Sequence, residues 1–165
     1  MSTSPRAEFI RRALEAADRA RGEGAPIVPA IAAAQAALES RYGESQLAKE
    51  ASNLFGIKAG KNWHGLVLVL PTTEYVDGQP VGMAARWRSY ISWQACFHDY
   101  GEIIGRLPWF ADAVVAARLG DAAGFLDGLL SKPHGPGAAD DEPGWATDPD
   151  YGVKVWAVAR RWGLV

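Results

Sequence analysis

One cysteine, three histidines and no long apolar run set the first limits on this chain. A lone Cys96 excludes an internal disulfide. Beside Phe97, in a stretch of helical spacing, it reads as a buried structural thiol rather than a nucleophile. His64, His98 and His134 are scattered, so with one cysteine there is no zinc pattern. The acidic run Asp140-Asp141-Glu142 lacks calcium-loop spacing and reads as a solvated loop. No metal or cofactor is expected. Charge of one sign is also missing: 17 Lys and Arg stand against 19 Asp and Glu, a net charge of −2, with no basic stripe for nucleic acid. No apolar run approaches the ~20 residues of a membrane span. The longest, residues 66–70, is strand-sized. Residues 1–21 are charged and amphipathic without an apolar signal core, so synthesis in the cytoplasm without a signal peptide is expected.

What is present suits a folded globule. Hydrophobic residues make up 48% and there are seven tryptophans, and the length fits one domain over residues 1–165. Phe9, Ile10, Ala13, Leu14 and Ala17 form one face of a helix over 5–21, ended by Gly22 and Gly24. A second helix opens at Pro29 and stops at Gly43. Residues 45–51 predict a helical turn, and 53–59 an extended loop punctuated by Gly56. Residues 66–76 and 83–90 predict two strands joined through Asp77-Gly78, a good hairpin turn. Helices follow over 92–107 and 109–119, then after Asp121 as a cap. Residues 131–145 predict a long Pro/Gly/Asp loop, of a length that is functional in many domains. Asp148 as N-cap and Pro149 at the first position predict a last helix reaching about Trp162.

Glu39 is the most informative residue. It ends an alanine-rich stretch in which Ile27, Ile31, Ala34, Ala37 and Leu38 recur at helical spacing. A carboxylate on the last turn of a buried helix meets the negative end of the dipole and little water. Both disfavour its charged form. A carboxyl group kept protonated near neutral pH is what a glycosidase needs to protonate a leaving-group oxygen.

Four blocks occur in one order with compatible gaps: Ala36-Ala37-Leu38-Glu39-Ser40-Arg41-Tyr42-Gly43, Asn53-Leu54-Phe55-Gly56-Ile57-Lys58-Ala59, Thr73-Glu74-Tyr75, and Ala146-Thr147-Asp148-Pro149-Asp150-Tyr151. Over roughly residues 27 to 162 this order resembles the bacterial peptidoglycan-cleaving β-N-acetylglucosaminidases that include the flagellar muramidase domain, glycoside hydrolase family 73. The resemblance implies a mainly α (α+β), lysozyme-like fold with a small β-hairpin lobe over a glycan-binding cleft. Its implied substrate is the peptidoglycan glycan strand. Glu39 takes the place of the proton donor. Glu74 takes that of a second carboxylate, either a base on water or an accessory to attack by the substrate's own 2-acetamido group. Tyr42, Asn53, Phe55, Trp63 and Tyr151 are implied cleft residues, with core packing as the alternative. Asn53 binds sugar or ties down the loop bearing Phe55.

One departure stands out. The family usually has a tyrosine before Ala-Thr-Asp, and this chain has Trp145. An indole can stack on a sugar and donate its N–H, but it supplies no oxygen that accepts. The reading is therefore cleavage of the β-1,4 bond after N-acetylglucosamine. A muramidase or lytic transglycosylase using the same glutamate, and a catalytically inactive glycan-binding or assembly protein, are the alternatives. An extracytoplasmic substrate without a signal peptide implies delivery, either through holin lesions as a phage endolysin or by type VI secretion as an antibacterial effector. The absence of a basic surface or tail leans toward the effector, with a periplasmic immunity protein blocking the cleft as its partner.

Overall fold

The computed structural model describes residues 4–131, 145, 146 and 148–165; the side chains of 72–76 lie outside that description. The expected loop over 131–145, with His134 and the acidic run, falls almost wholly outside it.

Three helices make the centre. Helix α1 is Pro5–Gly22, α2 is Pro29–Glu39 and α7 is Tyr151–Arg161. In α2, Pro29 and every residue from Ile31 to Ala37 are buried. A helix apolar on all sides cannot lie on a surface, and α1 and α7 both pack against it. Helix α4 (Trp93–Arg106) closes the far side of α1, and α5 (Ala111–Leu119) pairs with α6 (Ala122–Leu130) beside it. The short α3 (Gln46–Ala51) is capped by Ser45, α4 by Ser92 and α6 by Asp121, each side chain accepting a backbone N–H from the first turn. Cys96 is buried among these helices, where burial pushes its thiol up to about 12.

Strands β1 (Val67–Val76) and β2 (Gln79–Arg88) form one antiparallel hairpin that pairs Val67 with Arg88 and Val76 with Gln79. Asp77 and Gly78 both have positive φ, 50° and 76°, the two-residue turn whose twist matches the strands. The returning strand thus begins at Gln79, before the expected residue 83. Pro80 and Gly82 hide it from a propensity reading. Both strands of a two-stranded sheet are edges, where proline is tolerated.

The base of the hairpin is tied down twice. Main-chain bonds run from Ala59 N to Arg86 O (2.8 Å) and from Arg88 N to Ile57 O (3.0 Å). Arg88 also grips both oxygens of Asp99 on α4 at 2.9 and 2.8 Å, and the Tyr90 hydroxyl donates to the same carboxylate at 2.6 Å.

Two helix ends differ from expectation. Helix α2 ends at Glu39, not at Gly43. Ser40 caps it, its hydroxyl donating to Ala36 O at 2.5 Å and accepting from Gly43 N at 2.8 Å, while Arg41 and Tyr42 turn left-handed. Gly43 closes that turn at φ 80°, where a Cβ would meet the Phe9 ring at 2.9 Å. Helix α7 starts at Tyr151, so Asp148 is not its N-cap. The Asp148 carboxylate instead holds Asp150 N at 2.9 Å, two residues on, in a local turn that leads into the helix.

Candidate active site

The cap at Ser40 fixes where α2 lets go, and so fixes Glu39 at the rim of a cleft of about 350 Å³. It is lined by Phe55, Gly56 and Ile57, by Ile103 of α4 with Leu107, Trp109 and Phe110 just beyond that helix, and by Trp145, which packs near both Phe55 and Phe110. Glu39 is the cleft's sole carboxyl group among the described residues that line it. It reaches solvent, yet the concave wall around it removes enough water to raise its pKa from the ordinary carboxylate value, against the opposing effect of the Tyr151 hydroxyl. Two other hollows are larger, about 410 and 500 Å³. The first holds Glu15, already paired with Arg11 at 2.5 Å, and the second holds only the exposed Asp127. The first therefore lacks an unpaired acid, and the second sets Asp127 beside a single aromatic ring, Trp156.

Behind Glu39 runs a buried polar file. The Tyr100 hydroxyl donates to Gln35 Oε1 at 2.6 Å, and Gln35 Nε2 donates to the Tyr151 oxygen at 3.3 Å. Tyr151 in turn lies beside Glu39 and favours its ionised form. Burial raises the pKa of Tyr151, and the neighbouring Glu39 charge raises it further, so the phenol stays protonated. Gln35 and Tyr100 are inaccessible to solvent.

The aromatic wall is a packed unit. Phe55 stacks on Tyr100 with centroids 4.3 Å apart and planes 8° from parallel. Trp145 stands edge-on to Tyr100 at 4.6 Å and to Phe55 at 6.1 Å. Its indole lies near the Tyr151 hydroxyl, and its backbone N–H is fixed to Leu129 O at 3.1 Å. The Trp109 indole N–H is buried without a partner among the described residues.

Of the eight residues singled out in the sequence, the structure brings Glu39, Phe55 and Trp145 to the cleft wall and sets Tyr151 directly behind Glu39. Three others it takes elsewhere. Tyr42 packs edge-on against Phe9 and accepts from Trp162 Nε1 at 3.2 Å, bracing α1 against the end of α7. Asn53 uses its whole amide on the loop: Nδ2 donates to Ile57 O and Arg88 O at 2.9 and 2.8 Å, and Oδ1 accepts from Ile57 N at 3.0 Å. Trp63 packs on Tyr90 and under the Arg88 guanidinium, with its indole N–H on Leu66 O at 2.9 Å. Of the two readings of Asn53, the loop tie is the one its hydrogen bonds support. Glu74 stands in β1 opposite Val81, next to the hairpin turn; its side chain is among those not described.

Sequence reading missed Gln35, Tyr100 and the wall from Ile103 to Phe110. Gln35 carried one signal: it is a lone polar residue inside an alanine helix, one turn before Glu39. The α4 residues carried none, because a cleft wall and a core face share the same apolar period.

A helical domain with a hairpin lobe and a carboxyl at the end of a buried helix in an aromatic cleft has the form of a lysozyme-like glycosidase. The chain belongs to the glucosaminidase family, whose model, described as mannosyl-glycoprotein endo-beta-N-acetylglucosaminidase, matches residues 15–164. It is 37% identical over 126 residues to the peptidoglycan hydrolase FlgJ of Escherichia coli K12, covering 74% of this chain and 36% of that one. To the exo-glucosaminidase LytG of Bacillus subtilis it is 30% identical over 143 residues, covering 84% and 45%. The chain thus spans less than half the length of these relatives. A solved glycoside hydrolase domain of Salmonella typhimurium FlgJ superposes with a TM-score of 0.75 at 29% identity, covering 97% of this chain and 99% of that domain.

Proposed function

We propose that this chain hydrolyses the glycan strand of peptidoglycan, at the β-1,4 bond that follows N-acetylglucosamine, with Glu39 as proton donor. The observation that carries this reading is the Glu39 carboxyl, set at the end of a buried helix in an aromatic cleft whose concave wall limits water and favours its protonated form. In the reaction the bond between the anomeric carbon and the bridging oxygen breaks. The Glu39 proton passes to the departing oxygen, and the anomeric carbon takes a new bond from the opposite face. That bond comes from water, with Glu74 on the hairpin as base, or first from the sugar's 2-acetamido oxygen, with water following. A carboxyl separation of about 6.5–9.5 Å goes with direct inversion. Phe55 and Trp145 supply apolar faces for sugar rings.

The test is mass spectrometry of peptidoglycan digested by the purified chain. New reducing-end N-acetylglucosamine is expected. Reducing-end N-acetylmuramic acid would make the chain a muramidase, anhydro ends a transglycosylase, and an undigested wall a binding protein.

Delivery to the periplasm by a contact-dependent apparatus such as type VI secretion, against rival bacteria, is a second proposal. An overall charge of −2, without the basic surface that helps an endolysin reach an anionic envelope, supports it. It requires an immunity protein that plugs the cleft beside Glu39. Expression in a Gram-negative periplasm, with and without the adjacent gene, tests it: killing relieved by a neighbour that binds the chain is expected. Killing that the neighbour neither relieves nor binds would favour the endolysin.

A further inference from the structure

The buried file behind Glu39 has a direction. Tyr100 is fully buried, and its hydroxyl proton has one acceptor among the described residues, Gln35 Oε1 at 2.6 Å. That bond turns the Gln35 amide so that Nε2 faces Tyr151 at 3.3 Å. Were the amide reversed, Nε2 would donate to Tyr100, and the Tyr100 proton would be left buried and unpaired, which costs more than an unused lone pair. The Tyr151 oxygen then accepts from Gln35 and has the Trp145 indole nearby, which can only donate. Glu39 follows Gln35 by one turn on the same face of α2, so it is the acceptor toward which Tyr151 sends its own proton.

We infer that Gln35 is a positioning residue that, through Tyr151, holds one oxygen of the Glu39 carboxyl as an acceptor and so leaves the acid proton on the other oxygen, facing the cleft. A carboxylic acid has one proton and two oxygens. An oxygen that already accepts the Tyr151 proton is the poorer place for it. The file therefore does what solvent cannot: it chooses which oxygen donates. It also explains a fully buried amide inside an otherwise apolar helix, where an unmet polar group would be costly. Trp145, standing where the family usually has a tyrosine, strengthens the direction. A tyrosine there could donate or accept, whereas an indole only donates. The titratable groups that act on Glu39 are Tyr151 of α7 and, behind it, Tyr100 of α4. The rest of the described cleft wall carries none.

This inference rests on Glu39 being the donor, but its test does not need substrate. The side-chain carboxyl carbon of Glu39 is followed by NMR against pH in the wild type, Gln35→Met and Tyr100→Phe, alongside kcat and KM on soluble peptidoglycan fragments. Gln35→Met keeps the volume and removes the donor. Released from Gln35, Tyr151 swings off the carboxylate, so the Glu39 titration should move to higher pH. In the same variant kcat should fall about 10- to 100-fold with KM within about twofold. Tyr100→Phe should move both readings the same way by less. A folded Gln35→Met whose Glu39 titration and kcat match the wild type would overturn the proposal. So would a loss of kcat with an unmoved titration, which is the mark of a merely structural residue. If Gln35→Met does not fold, Tyr100→Phe carries the same two readings. A wild type that titrates as described but cuts no glycan would count against the proposed function and leave the relay standing.

Discussion

The Tyr151 hydroxyl, on the first turn of α7, meets the carboxyl of Glu39, the last residue of α2. Loss of water and the nearby phenol push the Glu39 pKa in opposite directions, and the loss of water wins. The cleft therefore favours the protonated form of the proposed acid, while Tyr151 favours its ionised form.

The first prediction concerns pH. A proton donor works only while protonated, so activity should fall as pH rises through the raised Glu39 pKa. Stability should follow the same group. In the window between the usual carboxylate pKa and the raised one, the folded chain binds a proton that the unfolded chain has lost, so stability declines as pH rises there. Glu39→Gln removes that dependence. Its melting temperature should equal or exceed the wild type's at pH 7, and the difference should vanish below about pH 4. A Glu39→Gln chain that melts lower at pH 7 would show that the ionised carboxylate stabilises the fold.

The second concerns the hairpin. Asp99 holds Arg88 by two bonds and Tyr90 by a third, in a half-dry setting where the pair's side chains are 14% and 19% exposed. Asp99→Asn should cost about 1–3 kcal/mol. It should also raise hydrogen exchange at the main-chain bonds between residues 57–59 and 86–88. Unchanged exchange there would mean that the main-chain bonds alone hold the lobe.

The third concerns Asn53. Its amide makes three bonds that fold the loop bearing Phe55 onto β2. Asn53→Ala takes these bonds from the Ile57 N–H and from two carbonyls, of which Ile57 O keeps Arg88 N, and should cost about 2–4 kcal/mol by denaturant melting. A direct sugar contact would instead show as weaker glycan binding with unchanged stability.

The fourth concerns Cys96. Buried and with its thiol pushed up to about 12, it should resist a thiol reagent at pH 8 in the folded chain and react at once when unfolded. Rapid labelling of folded protein would place the thiol at the surface.

Much of this was legible because local signals agreed. The α2 stretch is apolar with proline at its head, Asp121 is followed by a helical period, and Asp77-Gly78 sits between β-rich runs; each element appeared where these pointed. Boundaries slipped where a side chain, not a breaker, ends the element, as Ser40 does in place of Gly43. The proposed site was legible only at Glu39, Phe55, Trp145 and Tyr151. Tyr42, Asn53 and Trp63 have the chemistry of sugar contacts, and nothing local distinguishes a tyrosine bracing two helices from one facing a ligand. Gln35 and Tyr100 meet through packing of α2 against its neighbours, which a single sequence does not print.

The most direct measurement is lysis of purified cell walls by Glu39→Gln, read as turbidity loss beside a thermal melt. The account predicts a folded variant that loses at least ~100-fold in rate, with Glu74→Gln losing less. Wall lysis at the wild-type rate by folded Glu39→Gln would contradict it.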